Sequence, residues 1–208
     1  MSTLFLTSSG LVGTAKEEFL KALSKPIKEI KIASVITASK VYADPWYHKD
    51  NEAMRQLGFS VEDIDIEGKN EEELRIFFAD KDVTVVHGGN TFLLMKYVRE
   101  SGFDKVIKEF VERGGLYIGI SAGSMIVGSN IDCAIEEEGD ENSVGLTDMT
   151  GMNFVDMVIS PHYKEADESA IVEFEKRIGK TVTRLRDGEV ILVKDDNGET
   201  NCELIRNF

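Results

Sequence analysis

The stretch Leu116-Tyr117-Ile118-Gly119-Ile120-Ser121-Ala122-Gly123-Ser124 decides the fold prediction. A short apolar run typical of a buried strand leads straight into Gly-x-Ser-x-Gly, and a helix-like run follows. This is the context in which a nucleophile elbow is expected. Gly119 and Gly123 remove Cβ atoms where the turn is tightest, so a strained backbone can hold the Ser121 hydroxyl clear of the sheet. The pattern predicts a serine nucleophile. An ordinary strand-to-helix turn is the alternative interpretation.

Outward from this segment, strand patterns alternate with helix patterns. The predicted strands are Leu4 to Thr7, Ile30 to Thr37, Phe59 to Ile66, Val83 to Val86, Leu116 to Ile120 and Val155 to Ser160. Two helices are predicted to start at Thr14 and at Thr91. Four more are predicted over Glu52 to Leu57, Glu71 to Phe78, Phe103 to Val111 and Asp167 to Ile178. Strands separated by helices imply a parallel sheet covered on both faces.

A hairpin is predicted from Thr181 to Leu204, with its turn at Asp195-Asp196-Asn197-Gly198. The prediction is therefore an α/β fold, a three-layer parallel-sheet sandwich with a C-terminal β-hairpin, in a single domain over residues 1–208.

Composition narrows the classes of partner. The formal net charge is −14, which repels phosphate backbones and argues against nucleic acid as a partner. Cys133 and Cys202 are far apart and in no metal-like spacing, which is typical of a reducing compartment. The first residues lack a signal-peptide pattern, and no apolar run approaches the length of a membrane span. We expect a cytoplasmic protein without membrane contact, and the oligomeric state, including a homodimer, stays open.

A second glycine cluster follows the predicted strand Val83 to Val86, in the order His87-Gly88-Gly89-Asn90. Ligands of open α/β sheets bind at the carboxyl edge of the strands, where a glycine pair lets backbone N–H groups approach closely. The backbone N–H of Gly89 is therefore predicted to donate to an oxyanion beside the Ala122 N–H. Asn90 is a weaker candidate for substrate binding. A plain turn and helix cap is the alternative.

Three histidines could serve Ser121 as a base. His87 ends an apolar strand and is expected to be a packed core residue, whereas His48 follows Trp46 and Tyr47 in a predicted surface or rim loop. His162 comes just after a predicted strand and a proline, so it can reach the edge of the sheet where Ser121 lies. Imidazole accepts the hydroxyl proton and returns it to the leaving amine.

Three blocks together resemble peptidase E, an α-aspartyl dipeptidase to which cyanophycinase is related. They are Gly88-Gly89-Asn90, Gly119-Ile120-Ser121-Ala122-Gly123-Ser124 and Ser160-Pro161-His162-Tyr163. The resemblance implies a class I glutamine-amidotransferase-like, flavodoxin-like fold and a serine peptidase of short peptides. It also implies Ser121 as nucleophile, His162 as base, and the Gly89 and Ala122 N–H groups as the oxyanion hole.

The acid of the triad is less well defined by the resemblance. The family's glutamate near the C-terminus aligns with Asp187 in Leu185-Arg186-Asp187-Gly188-Glu189-Val190. Glu189 and Asp132 are the alternatives, and a solvated turn residue is the other interpretation of Asp187. An aspartate can orient an imidazole as a glutamate does, with one methylene less of reach.

The substrate is where the sequence departs from the family. In peptidase E an arginine downstream of the base recognises the N-terminal aspartate of the substrate. The segment after His162 contains no convincing counterpart of that arginine, although Lys164 and Arg177 follow. The resemblance therefore supports hydrolysis of short peptides better than it supports a preference for aspartyl dipeptides. A cyanophycinase-like peptidase of different specificity remains open.

Other classes of protein fit less well. A glutamine amidotransferase needs cysteine at the elbow, and ligand-spaced histidines and carboxylates of a metalloenzyme are missing, so no metal and no cofactor are predicted. A non-catalytic binding protein on the same scaffold remains the alternative from a different class.

Overall fold

The computed structural model of the chain describes residues 2–43, 45–134, 140–196 and 199–206. Its central sheet has strand order β3-β2-β4-β5-β1-β8-β9. These strands are β1 (Ser2–Thr7), β2 (Lys31–Val35), β3 (Ser60–Ile64), β4 (Val83–Val86), β5 (Leu116–Ile120), β8 (Val190–Asp196) and β9 (Glu199–Ile205). Strands β1 to β5 pair in parallel, whereas β8 is antiparallel to β1 and β9 is antiparallel to β8.

Helices cover both faces of this sheet. They are α1 (Gly13–Ala22), α2 (Tyr47–Gln56), α3 (Glu71–Phe78), α4 (Thr91–Ser101), α5 (Phe103–Glu112), α6 (Ala122–Met125) and α7 (Glu168–Ile178), with short 3₁₀ turns at Ile27–Glu29 and Glu165–Asp167. In β1, Leu4 and Leu6 face a core shared with α3 to α7, and Phe5 faces a second core shared with α1. Successive side chains of a strand point to opposite faces, so the sheet separates the two cores.

The predicted three-layer α/β sandwich with a C-terminal hairpin is confirmed by this architecture. Several elements occupy the bounds predicted from the sequence, among them β4, β5 and α3. Buried strands bounded by glycine or charge leave little freedom in their limits, and the capping box of Asn70 and Glu73 fixes the start of α3. None of the helices in the described part of the chain is long and apolar enough to cross a membrane.

The C-terminal region differs in detail from the prediction. β6 (Val158–Ser160) and β7 (Val182–Arg184) form a separate parallel pair, so the hairpin is β8–β9 alone. Gly188, at φ +84°, turns the chain between β7 and β8 and ends the first pairing before the second begins. The predicted hairpin turn at Asn197-Gly198 lies outside the described residues.

Candidate active site

Ser121 lies at the sharp turn between β5 and α6, with φ +50° and ψ −113°. Such a backbone conformation costs a residue with a side chain about 1–3 kcal/mol. The Ser121 N–H donates to Thr7 O at 2.9 Å, which ties the turn to β1. A Cβ on Gly119 would lie 2.5 Å from Gly123 O, and one on Gly123 would lie 2.0 Å from Val86 O. The turn therefore requires both glycines, as the sequence pattern predicts.

His162 follows β6 and also has a left-handed backbone, with φ +54°. Its ring Nδ1 lies 2.7 Å from Asp187 Oδ1. Its backbone N–H donates to Ser8 Oγ at 2.8 Å, and Ser8 Oγ donates in turn to Asp187 Oδ1 at 2.6 Å. Ser8 directly follows β1, so one hydroxyl links the strand end, the imidazole segment and the carboxylate.

The antiparallel direction of β8 brings Asp187 to this edge. Thr7, at the carboxyl end of β1, pairs both with Ile120 of β5 and with Val190, the first residue of β8. Residues just before Val190 therefore lie at the edge where the parallel strands end. Asp187 occupies that position.

Asp187 is held in its ionised form. Partial burial alone would raise the pKa of its carboxyl group, but the hydrogen bond from Ser8 and the interactions with His162 outweigh burial. The net result is a pKa of Asp187 below its usual value. An ionised carboxylate at Nδ1 fixes the proton on that nitrogen and leaves Nε2 as the basic atom of the imidazole.

The other two carboxylates considered from the sequence are engaged elsewhere. Glu189 is buried and accepts hydrogen bonds from the Arg186 N–H at 2.9 Å and from Arg206 Nε at 3.2 Å. Asp132 pairs with Arg177 at 3.3 Å. Of the three candidate acids, Asp187 is the one in contact with the His162 imidazole.

The loop after β4 passes directly over the serine. A Cβ on Gly88 would lie 2.9 Å from Ser121 Cβ, and Gly89, at φ +135°, packs so closely that its Cβ would lie 2.1 Å from Ala38 O. Within the described residues, neither the Gly89 N–H nor the Ala122 N–H donates a hydrogen bond to the protein. Both donors thus remain available beside Ser121.

Asn90 has a structural role at the start of α4. Its side chain accepts from the Leu93 N–H at 2.8 Å, as a helix N-cap does, and donates to Glu141 O at 2.9 Å. It is not among the described residues that line the cleft around Ser121. The geometry corresponds to the helix-cap alternative considered from the sequence.

The two remaining histidines lie apart from the pair formed by His162 and Asp187. His87 is buried, as predicted, and burial lowers its pKa to about 3. His48 is exposed but belongs to the first turn of α2, so the predicted loop is wrong at this position. The helix begins one residue earlier, at Tyr47, whose ring packs 4.1 Å from that of His48.

A cleft of about 470 Å³ opens over these groups, and both Ser121 and His162 line it. Among the described residues, no hydrogen bond joins the Ser121 hydroxyl to His162. Catalytic hydrogen bonds are often long before substrate binds, so a serine–imidazole pair is compatible with this geometry. The cleft can hold a small molecule with a carbonyl group at the serine and the two free N–H donors around it.

Comparison with known proteins gives consistent matches. The sequence model of peptidase family S51 matches residues 4–200. An uncharacterized peptidase of Listeria monocytogenes is 32% identical over 181 residues, which cover 84% of this chain and 86% of that protein. Peptidase E of Shigella flexneri is 30% identical over 170 residues, covering 80% of this chain and 70% of the relative.

Solved structures agree in fold. A candidate peptidase E protein from Listeria monocytogenes superposes with a TM-score of 0.81 at 29% identity, and the match covers 99% of both chains. A peptidase from an acI-B1 Actinobacterium gives a TM-score of 0.68 at 15% identity, over 100% of this chain and 88% of the other. At that identity the second likeness concerns the fold alone.

Proposed function

Because this chain belongs to peptidase family S51 and is a peptidase, we propose that it is a serine hydrolase of short peptides with Ser121 as its nucleophile. The observation that carries the proposal is the strained serine, at φ +50°, in the same cleft as an imidazole already paired with a carboxylate. Strain at one serine is expected where the backbone presents a reactive group. Resemblance to peptidase E supports dipeptides as the substrate class.

In the proposed reaction, Ser121 Oγ attacks the peptide carbonyl carbon. Nε2 of His162 takes the hydroxyl proton and passes it to the leaving amine, which departs with the C-terminal part of the peptide. Asp187 keeps the other ring nitrogen protonated and stabilises the imidazolium. A water molecule, deprotonated by the same imidazole, then hydrolyses the ester on Ser121 and restores the free hydroxyl.

The Gly89 and Ala122 N–H groups are proposed to bind the oxyanion. Donors that lack a partner in the free protein need no rearrangement when negative charge develops on the carbonyl oxygen, and a single such donor contributes about 3–4 kcal/mol to transition-state stabilisation. The positive φ of Gly89 and its contact with Ala38 hold its N–H in a fixed direction.

A fluorophosphonate probe tests the nucleophile. We expect the folded protein to be labelled at one site, Ser121→Ala to lose the label, and Ser60→Ala, which changes an exposed serine of β3, to retain it. Dipeptide hydrolysis should fall by several orders of magnitude in Ser121→Ala and in His162→Ala, because members of a triad act as a unit. A folded protein that is neither labelled nor active would support the binding-protein alternative.

The acid is tested by charge-removing variants of equal size. Asp187→Asn should lower kcat by roughly 10⁴-fold if the carboxylate fixes the imidazole tautomer. Asp132→Asn removes the same charge from a site that contacts Arg177 and should leave kcat near the wild-type value. Equal losses in both variants would contradict the assignment of Asp187.

A further inference from the structure

Part of the cleft wall is an acceptor pair formed by Asp50 and His87. Asp50 Oδ2 lies 3.7 Å from His87 Nδ1, beyond hydrogen-bonding distance, and both residues line the cleft that contains Ser121. Neither atom has a hydrogen-bond partner among the described residues. The proton positions on His87 decide what this pair can bind.

The groups around Nε2 assign the tautomer of His87. The Asn51 amide nitrogen donates to Ser34 Oγ at 2.7 Å and to Asp63 Oδ1 at 2.8 Å, so the Asn51 amide oxygen is the atom that faces His87 Nε2, at 3.3 Å. Nε2 also lies 3.1 Å from Ser34 Oγ, a hydroxyl that can accept as well as donate. With its hydrogen on Nε2, the ring can donate to both oxygens and gives the buried Asn51 oxygen, which can only accept, its donor, so we assign the hydrogen to Nε2. Nδ1 of His87 is therefore an acceptor, and it faces a carboxylate that is also an acceptor.

Asp50 forms no ion pair with a lysine or an arginine in the described part of the chain. Burial holds the pKa of His87 at about 3, so the imidazole is neutral at physiological pH. Burial raises the pKa of Asp50, and the charge of the neighbouring Lys49 opposes that rise without cancelling it. The Asp50 side chain is 40% exposed, so it is open to a ligand.

An aromatic ring lies on the same side of α2. Trp46 precedes Asp50 by four residues, which places the two side chains on one face of the helix. The indole is 65% exposed, lines the cleft and lies 5.3 Å from the ring of Tyr42, tilted against it. An exposed indole face next to a carboxylate attracts cations.

We propose that Asp50, His87 Nδ1 and Trp46 bind a primary ammonium group of the peptide substrate. An ammonium carries three N–H donors and one positive charge, so it can donate to both acceptors at once and satisfy the carboxylate. A carboxylate side chain could do neither and would be repelled. The inference names a group of the substrate for the proposed peptidase, but its test requires binding alone.

Lys49 is the competing determinant, because it is an exposed cation that lines the same cleft. If it dominated, acidic substrates would bind best. Against it, Asp50 and Asp140 are two half-buried carboxylates lining the cleft, and no arginine occurs among the described residues that line it.

Equilibrium binding to the full-length Ser121→Ala variant, measured by titration calorimetry, tests the proposal without turnover. The probes are norleucyl-alanine, lysyl-alanine, glutamyl-alanine and the N-acetyl derivatives of the first two. In a second variant, Asp50→Asn is combined with Ser121→Ala. This change removes the negative charge and gives His87 Nδ1 an amide donor. Glu52→Gln is the matched control, since it removes one charge from the opposite face of α2, where Glu52 bonds Gln56.

We expect Asp50→Asn to weaken ammonium-bearing probes by at least about tenfold, the effect of one hydrogen bond to a charged group. N-acetyl-norleucyl-alanine, which has no ammonium, should bind weakly and equally to all variants, and Glu52→Gln should change nothing. Retained affinity of N-acetyl-lysyl-alanine would assign the site to the side-chain ammonium, and its loss to the N-terminal one.

Two results would overturn the proposal: unchanged affinities of the ammonium-bearing probes in Asp50→Asn, or N-acetyl-norleucyl-alanine binding as tightly as the probes that carry an ammonium. Absence of hydrolysis by the wild-type protein, with Asp50-dependent binding intact, would contradict the proposed function and leave this inference standing.

Discussion

Replacing Ser8 by alanine isolates the group that joins the imidazole segment to the carboxylate. The change removes the acceptor of the His162 N–H, at 2.8 Å, and the donor to Asp187, at 2.6 Å. It leaves Ser121 and its turn untouched. Ser8 is not recognised by any sequence pattern used above, and its role follows from these two contacts.

The expected loss of activity in Ser8→Ala follows from how deeply Ser8 and Asp187 are buried. Ser8 is completely buried, and a hydrogen bond to a charged group contributes about 1.5–3 kcal/mol. The side chain of Asp187 is 63% exposed, so water replaces part of the lost bond. We therefore expect about 1–2 kcal/mol, or roughly a 5- to 30-fold lower kcat/KM for dipeptides.

The pH profile separates positioning from simple loss of stability. The Ser8 hydrogen bond favours the ionised form of Asp187, whose folded-state pKa is lowered. In Ser8→Ala this pKa should rise toward its usual value, so Asp187 becomes protonated at higher pH. The acid limb of the kcat/KM profile should accordingly move to higher pH, which a small general destabilisation would not produce.

Ser2→Ala is the matched control, because Ser2 lies at the other end of β1 and donates one hydrogen bond to Val111 O at 3.2 Å. Steady-state kinetics of Ser8→Ala and Ser2→Ala over a pH range that extends below the usual pKa of an aspartate, together with thermal unfolding at each pH, complete the assay. A Ser8→Ala protein with wild-type kcat/KM and an unshifted acid limb would refute the reasoning.

Three further predictions concern single residues. Gly89→Ala should abolish activity and lower the melting temperature, because its Cβ would meet Ala38 O at 2.1 Å, whereas Gly68→Ala, at φ +72° and with nothing within 4 Å, should cost only about 1 kcal/mol of strain. His87 should lower the stability of the folded protein in acid. The pKa of its imidazole is about 3 in the folded protein and 6.5 as the reference for the unfolded chain, so below pH 6.5 the unfolded chain takes up a proton that the folded protein does not bind. At pH 5 this amounts to about 2 kcal/mol, and His87→Asn should reduce that pH dependence in urea titrations. Asn90→Ala should cost about 1 kcal/mol of stability through the lost cap and leave kcat/KM near wild type; a fall in kcat/KM with stability unchanged would restore Asn90 as a substrate contact.

The elbow could be predicted from sequence because its constraints are local. Gly119 is required by a backbone contact within the turn, to Gly123 O, and Leu116–Ile120 carries the apolar residues of a buried strand. Gly123 is required by its contact with Val86 O of β4, but the spacing Gly-x-Ser-x-Gly marks its position in the sequence. The position of Ser121 at the end of a central strand follows from these features alone.

The remaining parts depend on contacts between distant segments. Ser8 and Asp187 are 179 residues apart, and nothing near Ser8 in the chain marks it as a partner of a carboxylate. The acceptor pair of Asp50 and His87 likewise joins two separate segments, since Asp50 lies on α2 and His87 directly follows β4. The predicted strand Val155 to Ser160 contains β6, but its pairing with β7 was not predicted, because a strand of three residues carries almost no periodicity that would separate β7 from the hairpin.

The direction of β8 has a consequence for how this enzyme loses function. The proposed nucleophile follows β5, in the middle of the sheet, whereas the proposed carboxylate precedes β8, which pairs with β9, the outermost strand. Outer strands open at lower free energy than central ones. Heating below the melting temperature should therefore detach Asp187 from His162 and stop catalysis reversibly, while the turn at Ser121 stays folded.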